Sequence, residues 1–408
     1  MLCDRRLSVH HIGGRAGSRT FPILKAFEKD IINVLYDADL ECVEQIRERN
    51  GILSSELHVL PYCLGASRTE GEINITYDPY TSSLYELSPD YNSYYSISGG
   101  FDYLFAEACK VVEKRRVKII SADDIFRLKD NPVPPPDFLS IDTEGSEYDI
   151  LSGAREILRA NVLGVVIEAD LHPVFKEQKI FGDNVRLLND AGFNFTRFIN
   201  TMEMFQFRVP IGLRGEGVHG TSEALFLRKL ETLDAVSDRS MRYVMLRKLA
   251  FIAIVFKQFD YAVECLRRSK HLAADGRPAE GGEPMYMLFL QDLEREIEKM
   301  PVIYPPTFIE KYASFSASKA RFEHSDAQKL GDLKKSSVLY RVKQSVKKQA
   351  VIYGVLQQLM RSMRICKNYL VFSKKRMCAG RTCVERLLLK YGLKEQADIL
   401  KKRRIFQS

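Results

Sequence analysis

One stretch constrains this chain more than any other. Pro136-Asp137-Phe138-Leu139-Ser140-Ile141 is a short apolar run that breaks at Asp142-Thr143-Glu144-Gly145-Ser146-Glu147. Apolar residues then return at helical spacing as Tyr148, Ile150, Leu151, Ala154, Ile157 and Leu158. A switch from strand period to helix period marks a βα unit. In an open α/β sheet, ligands bind in the crevice outside the carboxyl ends of the strands. Asp142, Glu144 and Glu147 therefore fall where chemistry is expected. Three carboxyl groups at one strand end repel unless a cation, a proton or hydrogen-bond donors offset them. The plainer account of the same residues is a helix N-terminus decorated with acids, which the macrodipole favours.

Upstream, Leu7-Ser8-Val9-His10-His11-Ile12 is β-compatible and runs into Gly13-Gly14-Arg15-Ala16-Gly17-Ser18, a turn that lets backbone approach a ligand closely. No lysine follows Gly17, so the pattern is not that of a P-loop. Phe21, Leu24, Phe27 and Ile31 predict a helix with Pro22 in its first turn. Ile31 to Asp39 is then a β-rich run ending in the acids Asp37 and Asp39. An acid in that position is the usual partner of ribose hydroxyls in doubly wound nucleotide sites. Capping of a helix over Leu40 to Arg49 is the alternative reading of the same two acids.

Further strands are expected at Leu57–Ala66, Glu72–Tyr77 and Val117–Ser121. Between them, Tyr80 to Phe105 is rich in Tyr, Ser and Gly and reads as a loop. It suits a lid over a polar, carbohydrate-like substrate as well as it suits an ordinary surface excursion. Asn131 to Pro136 is an extended connector. A helix from Tyr148 to Arg159 leads to Val162–Ala169, a nearly continuous apolar run of the kind buried on both faces. That run ends in Glu168, Asp170 and His172. A helix at Phe181–Ala191 and strands at Phe193–Asn200 and Glu223–Lys229 close the pattern. The βαβ alternation through residue 231 predicts an α/β, doubly wound, Rossmann-like sheet as the first domain, 1–231.

Beyond residue 232 strand signals end, and a C-terminal all-helical extension is expected. Val244 to Leu272 reads as one helical hairpin around a Gln-Phe-Asp turn, giving a second region at 232–300. Pro301, Pro305 and Pro306 open a third, 301–408, a linker followed by a basic amphipathic tail. From Lys334 to Ser408 roughly twenty Lys and Arg face three acids, about +17, so the net charge of +8 leaves about −9 for the rest. Such a tail suits an anionic membrane surface. It suits nucleic acid less, because the first half is acidic and carries no base-reading motif. A solvated arm or an oligomerisation element is the plainer account. Eight scattered cysteines without CxxC pairs, and no signal peptide, point to a reducing, cytoplasmic setting, with peripheral contact at the inner face of a membrane.

Asp137-Phe138-Leu139-Ser140-Ile141-Asp142-Thr143-Glu144-Gly145-Ser146-Glu147, followed by Leu151-Ser152-Gly153-Ala154, resembles the signature of FkbM-type S-adenosylmethionine-dependent methyltransferases. Ser121-Ala122-Asp123-Asp124-Ile125 and Thr81-Ser82-Ser83-Leu84 resemble the segments that flank it. The similarity covers about residues 8 to 230. It implies a Rossmann-like methyltransferase sheet and S-adenosyl-L-methionine as cofactor. Gly13, Gly14 and Gly17 would hold the methionine moiety, and Asp37, with Asp39 nearby, the ribose hydroxyls. Where the family has an acidic strand end before the glycines, this chain has His10-His11.

Methyl transfer from a sulfonium is an in-line displacement in which positioning supplies most of the rate. A hydroxyl acceptor also needs a base for its proton. Asp142 is the first candidate, Glu144 the second and His172 the alternative, although His172 before Pro173 also reads as a strand terminator. Asp142, Glu144, Asp170 and His172 match a divalent metal by ligand type alone, and no metal site is assigned. The expected activity is O-methylation of a hydroxyl on a small molecule, a saccharide or a secondary metabolite. The competing expectation is a non-catalytic binding or scaffold protein on a degenerate methyltransferase fold.

Overall fold

Strand β1, Leu7–Ile12, is buried at every residue, as expected of a strand covered on both faces. Around it the computed structural model describes residues 5–13, 21–38, 43, 56–98, 101–128, 131, 133–210, 213, 215–272, 282–300 and 384–402. The other strands are β2 Ile31–Tyr36, β3 Glu56–Leu60, β4 Cys63–Leu64, β5 Thr69–Thr76, β6 Tyr95–Ser98, β7 Phe101–Leu104, β8 Val111–Ile120, β9 Phe138–Ile141, β10 Gly164–Glu168, β11 Phe193–Phe205 and β12 Val218–Arg228.

Nine of these form one sheet in the order β3-β2-β1-β9-β10-β12-β11-β6-β7. The first five are parallel: β1 pairs with β2 and β9, β2 with β3, and β9 with β10. The remaining pairings, β10–β12, β12–β11, β11–β6 and β6–β7, are antiparallel. The chain winds outward from β1 to β3 and then returns to β9 on the other side of β1. Strand order therefore reverses between β1 and β9, which makes the crevice at their carboxyl ends the ligand-binding switch point of a doubly wound sheet.

The structure departs from the sequence reading at several elements. The helix predicted over Phe21 to Ile31 is only a 3-10 turn, Lys25–Asp30. Ile31 belongs to β2, and Phe21 instead packs edge-on against Phe138 and Phe256, with ring centroids 5.1 and 5.9 Å apart. The helix after β9 is two short helices, Glu147–Ser152 and Arg155–Ala160, parted at Gly153, where a Cβ would stand 2.1 Å from the Gly65 carbonyl oxygen. Strands β4, β5 and β8 lie outside the main sheet and form a three-stranded sheet of their own, β4-β8-β5. The tyrosine-rich stretch is no free loop, because β6 and β7 within it extend the main sheet and Tyr91 packs on Tyr94 at 4.8 Å. The helix expected over Leu40 to Arg49 lies outside the described residues.

The helical hairpin is present as Arg239–Val255 and Phe259–Lys270. Asp238 caps it by accepting from Ser240 N and Met241 N at 2.8 and 3.1 Å. It belongs to the same compact unit as the sheet, which comprises Met1–Asp292 with Leu388–Ile399, so no unit boundary falls at residue 231. Two contacts show why. Lys248 Nζ reaches Asp137 Oδ2 at 2.8 Å with both side chains largely buried, and Phe256 stacks on Phe138 at 5.3 Å. Within the same unit Tyr391 stacks on Phe27 at 5.7 Å, and Gln396 donates to the Val255 carbonyl at 2.8 Å. Part of the basic C-terminal stretch is therefore core. The second unit comprises Leu293–Leu387 with Leu400–Ser408, of which 293–300, 384–387 and 400–402 are described. Among the described residues no helix is long and apolar enough to cross a membrane.

Candidate active site

Where β1 ends, Gly13 adopts φ +83°, and a Cβ there would lie 1.8 Å from the carbonyl oxygen of Asp142. Only glycine allows the two strand ends to approach so closely. Asp142 N in turn donates to Ile12 O at 3.0 Å, and Gly13 N donates to Tyr36 O at 3.2 Å. Backbone thus ties together the ends of β9, β1 and β2 around the switch point.

His10, at the place where the family carries an acid, is core rather than site. Its Nε2 faces Pro134 O at 3.1 Å, which sets the proton on that nitrogen and leaves Nδ1 to accept from the Tyr36 hydroxyl at 3.0 Å. Burial lowers its pKa to about 3, so the ring is neutral.

The turn after β9 is built on two consecutive left-handed residues, Glu144 at φ +55° and Gly145 at φ +105°. What holds it is Glu147. Its Oε1 accepts from Thr143 N at 2.9 Å, Thr143 Oγ1 at 2.8 Å and Gly145 N at 3.3 Å. Ser146 Oγ adds a bond to Thr143 Oγ1 at 2.9 Å. Glu147 therefore organises the loop. The two flanking segments close on the same unit. Ser83 Oγ donates to Glu144 O at 2.5 Å, and Asp123 accepts from Glu156 N and Ile157 N, capping the helix Arg155–Ala160.

A cleft opens over the switch point. Gly13, Asp37, Tyr62, Asp142 and Glu144 are among the residues that line it. Its pairing of a close glycine, Gly13, with an acid after β2 suits a nucleoside-bearing cofactor. Gly14, Gly17 and Asp39, expected beside Gly13 and Asp37, lie outside the described residues. A second cleft lies across β9 and β10 and is lined by Asp142, Glu168, Asn200, Thr201, Thr221, Ser222 and Glu223, among others. Asp142 lines both clefts.

Acids crowd that junction. One carboxylate oxygen from each of Asp142, Glu144 and Glu168 falls within 4.8 Å of the others. Asp142 lines both clefts, and partial desolvation there, with Glu223 adding, pushes its carboxyl up to about 6. Burial first, and then the neighbouring acids, hold Glu144 and Glu168 well above the ordinary glutamate range. Glu147 is pushed up to about 7 by burial and Asp170, with the Thr143 bonds pulling the other way. Asp170 is raised to about 6 by burial, against hydrogen bonds from Gln178 and Thr221. Like charges at this spacing share protons or gather a cation. Exposed acids also cluster in this way without an ion, so no metal is assigned.

Of the residues named from sequence, the structure brings together Gly13, Asp37, Asp142 and Glu144. Asp170 is buried and held by Gln178 Nε2 at 2.6 Å, whereas His172 is exposed and lines neither cleft. Glu168 was visible as an acid closing a buried strand. Asn200, Thr201, Thr221, Ser222 and Glu223 were not, because their place follows from the β11–β12 register.

A doubly wound sheet with a glycine turn after β1, an acid after β2 and an acid-bearing turn after β9 defines the Rossmann-like S-adenosylmethionine-dependent methyltransferase class. More narrowly, residues 25–195 match the methyltransferase FkbM domain. Its cofactor is S-adenosylmethionine. No curated protein sequence matches the chain. Among solved structures, the chain is similar to a methyltransferase FkbM from Methylobacillus flagellatus KT at 12% identity and TM-score 0.30, covering 55% of this chain and 44% of that one. A magnesium protoporphyrin IX methyltransferase from Synechocystis PCC 6803 matches at 9% identity and TM-score 0.30, covering 56% and 72%. A putative RNA methyltransferase from Pyrococcus horikoshii matches at 10% and 0.26, covering 54% and 74%. Likeness at this level carries no argument about substrate.

Proposed function

We propose that the chain O-methylates a hydroxyl of a small polyhydroxylated molecule, a saccharide or a similarly oxygenated metabolite. The observation that carries this reading is the meeting of two clefts at Asp142. The first has the features of a nucleoside cofactor site. The second is walled by hydroxyl, amide and carboxylate groups from Asn200, Thr201, Thr221, Ser222, Glu223 and Glu168. Such a wall offers donors and acceptors to several hydroxyls at once, beside apolar surface from Ile141, Val166 and Met202.

The cofactor supplies an activated methyl on a sulfonium. The residues of this chain do the rest. Asp37 stands after β2, where it can accept from the ribose hydroxyls, and Gly13 lets the backbone come close. Asp142 and Glu144 orient the acceptor at the junction, where a carboxylate takes up the hydroxyl proton. His172 has no part in this scheme, since it lines neither cleft.

Incubation with methyl-labelled S-adenosylmethionine and a panel of monosaccharides, methyl glycosides and polyols tests the reading. Label should move to an oxygen of one class, and Asp37→Ala should weaken S-adenosylhomocysteine binding at least about tenfold, the scale of a lost hydrogen bond to a charged group. Calorimetry showing no binding by the wild-type chain would sink the cofactor assignment and with it the enzyme.

A further inference from the structure

The hairpin of β11 and β12 outruns the strands beside it. Glu168, the last residue of β10, pairs with Glu223. Beyond that point β11 continues to Phe205 and β12 starts from Val218, with Thr201 opposite Ser222 and Met204 opposite Val218. This overhang stands past the carboxyl end of β10, on the side where the clefts open. Its root lines the second cleft through Thr201, Met202, Thr221 and Ser222. Met204 is buried within it and β6 pairs along Met204 and Phe205, so the overhang is packed as far as Phe205.

The tip beyond has the opposite character. Phe207 and Leu213 are 76% and 77% exposed, and Val209 and Val218 are exposed beside them. Single exposed apolar residues are ordinary, whereas four on one hairpin end mark a contact surface. The charges indicate its kind. From Gln206 to Gly217 the chain carries two arginines, Arg208 and Arg214, against one acid, Glu216. The Arg208 side chain is 70% exposed, with Asp102 Oδ2 at 3.5 Å as a loose partner. Long basic side chains among apolar ones lay their stems along hydrocarbon and hold their heads at the level of lipid phosphates.

A second apolar group borders the first cleft. β5 and β8 pair Ile75 with Glu113 and Thr76 with Val111, which leaves Val112 as the extra residue of a bulge, 59% exposed. Beside it Tyr77 N donates to Lys110 O at 2.9 Å, and Tyr77, Tyr80 and Lys110 are all exposed. Tyr80 also lines the first cleft. An apolar group with a basic neighbour thus borders each cleft. Two such groups around one site fit a broad surface with an apolar interior and anionic heads, not a groove shaped to one side chain. We propose that the β11–β12 tip inserts Phe207, Val209 and Leu213 into the interfacial region of an anionic lipid bilayer, so that the clefts open at the bilayer surface. This contact is separate from the basic C-terminal stretch and does not depend on which acceptor is methylated.

The chain has no tryptophan, so Phe207→Trp in the full chain places a single reporter at the tip. With vesicles of phosphatidylcholine and phosphatidylglycerol, its emission should move to the blue, and bromine atoms on the lipid acyl chains should quench it. Flotation with the same vesicles should show partitioning of Phe207→Ser with Leu213→Ser at least about tenfold below wild type, from the loss of two apolar anchors. The melting temperature of that double variant should match the wild type, since both side chains lie outside the core. Vesicle binding with the reporter unquenched would give the contact to the basic C-terminal stretch and overturn the proposal. A reporter already blue-shifted without vesicles, and unmoved by them, would show the tip covered by the chain itself or by a second copy, and would overturn it too. So would a full chain that does not float with these vesicles.

Discussion

Replacing Gly13 by alanine tests the switch point directly. At φ +83° a non-glycine residue costs roughly 1–2 kcal/mol in backbone strain. The new Cβ would start 1.8 Å from the Asp142 carbonyl oxygen, with the Asp142 carbonyl carbon and Thr143 Cγ2 both at 2.8 Å. An ordinary contact is about 3.4 Å or more, so β1 and the turn after β9 must separate by about 1.6 Å, taking 1.8 from 3.4. Backbone cannot yield as a flexible side chain would, and overpacking of this kind adds roughly 1–3 kcal/mol. The sum is about 2–5 kcal/mol. At roughly 2–4 °C per kcal/mol for a unit of this size, scanning calorimetry should show a fall of about 5–15 °C. Function should suffer separately, because a displacement near 1 Å at a reacting group costs on the order of a hundredfold in rate. S-adenosylhomocysteine affinity should fall at least about tenfold. A Gly13→Ala chain that melts within about 1 °C of wild type and binds the nucleoside as well would refute the claim that these strand ends are in forced contact.

Other outcomes follow from the same contacts. Lys248→Met removes the ion partner of the largely buried Asp137 carboxylate, which keeps the Ser8 N–H donor at 2.8 Å, and should cost about 1.5–3 kcal/mol in chemical denaturation, whereas Lys248→Met with Asp137→Asn should recover part of it. The acid cluster sets a pH trend. Asp142, Glu147 and Asp170 have folded pKa values of about 6, 7 and 6, raised above unfolded values of 3.8, 4.5 and 3.8. Their contribution to stability is therefore complete below about pH 4 and lost as pH rises through 6 to 7, so melting temperature should fall between pH 5 and pH 8. A rising melting temperature over that range in calorimetry would count against the crowding. The basic C-terminal stretch yields a prediction from charge alone: reversing lysines and arginines between residues 341 and 376 should reduce co-sedimentation with anionic vesicles, and no change would dismiss the membrane expectation.

How much of this was legible beforehand depends on the range of the interaction. The unit from Asp137 to Leu158 announces itself because strand period, turn glycine and helix period are all local properties of consecutive residues. The same holds for the run Leu7–Ile12, for Ile31–Tyr36, and for the hairpin turn at Gln258. Phe21 to Ile31 misled because apolar spacing alone does not distinguish a helical stripe from side chains such as Phe21 that turn toward a helix arriving much later. Val117–Ser121 read correctly as strand, but pairing with Thr69–Thr76 rather than with the main sheet is a matter of partner choice.

By itself the sequence determined the class of the domain and singled out Gly13, Asp37, Asp142 and Glu144 as candidates, since each belongs to a short motif whose spacing carries its meaning. Tertiary structure alone decided what those residues meet. Glu147 became the keystone of the loop only once Thr143 and Gly145 pointed their donors at it. His172 is exposed and lines neither cleft. Glu168 lines the second cleft because the β10–β12–β11 register brings Asn200, Thr201, Ser222 and Glu223 beside the end of β10. Local periodicity writes strands and helices into consecutive residues, whereas a site is assembled from strand ends far apart in the chain.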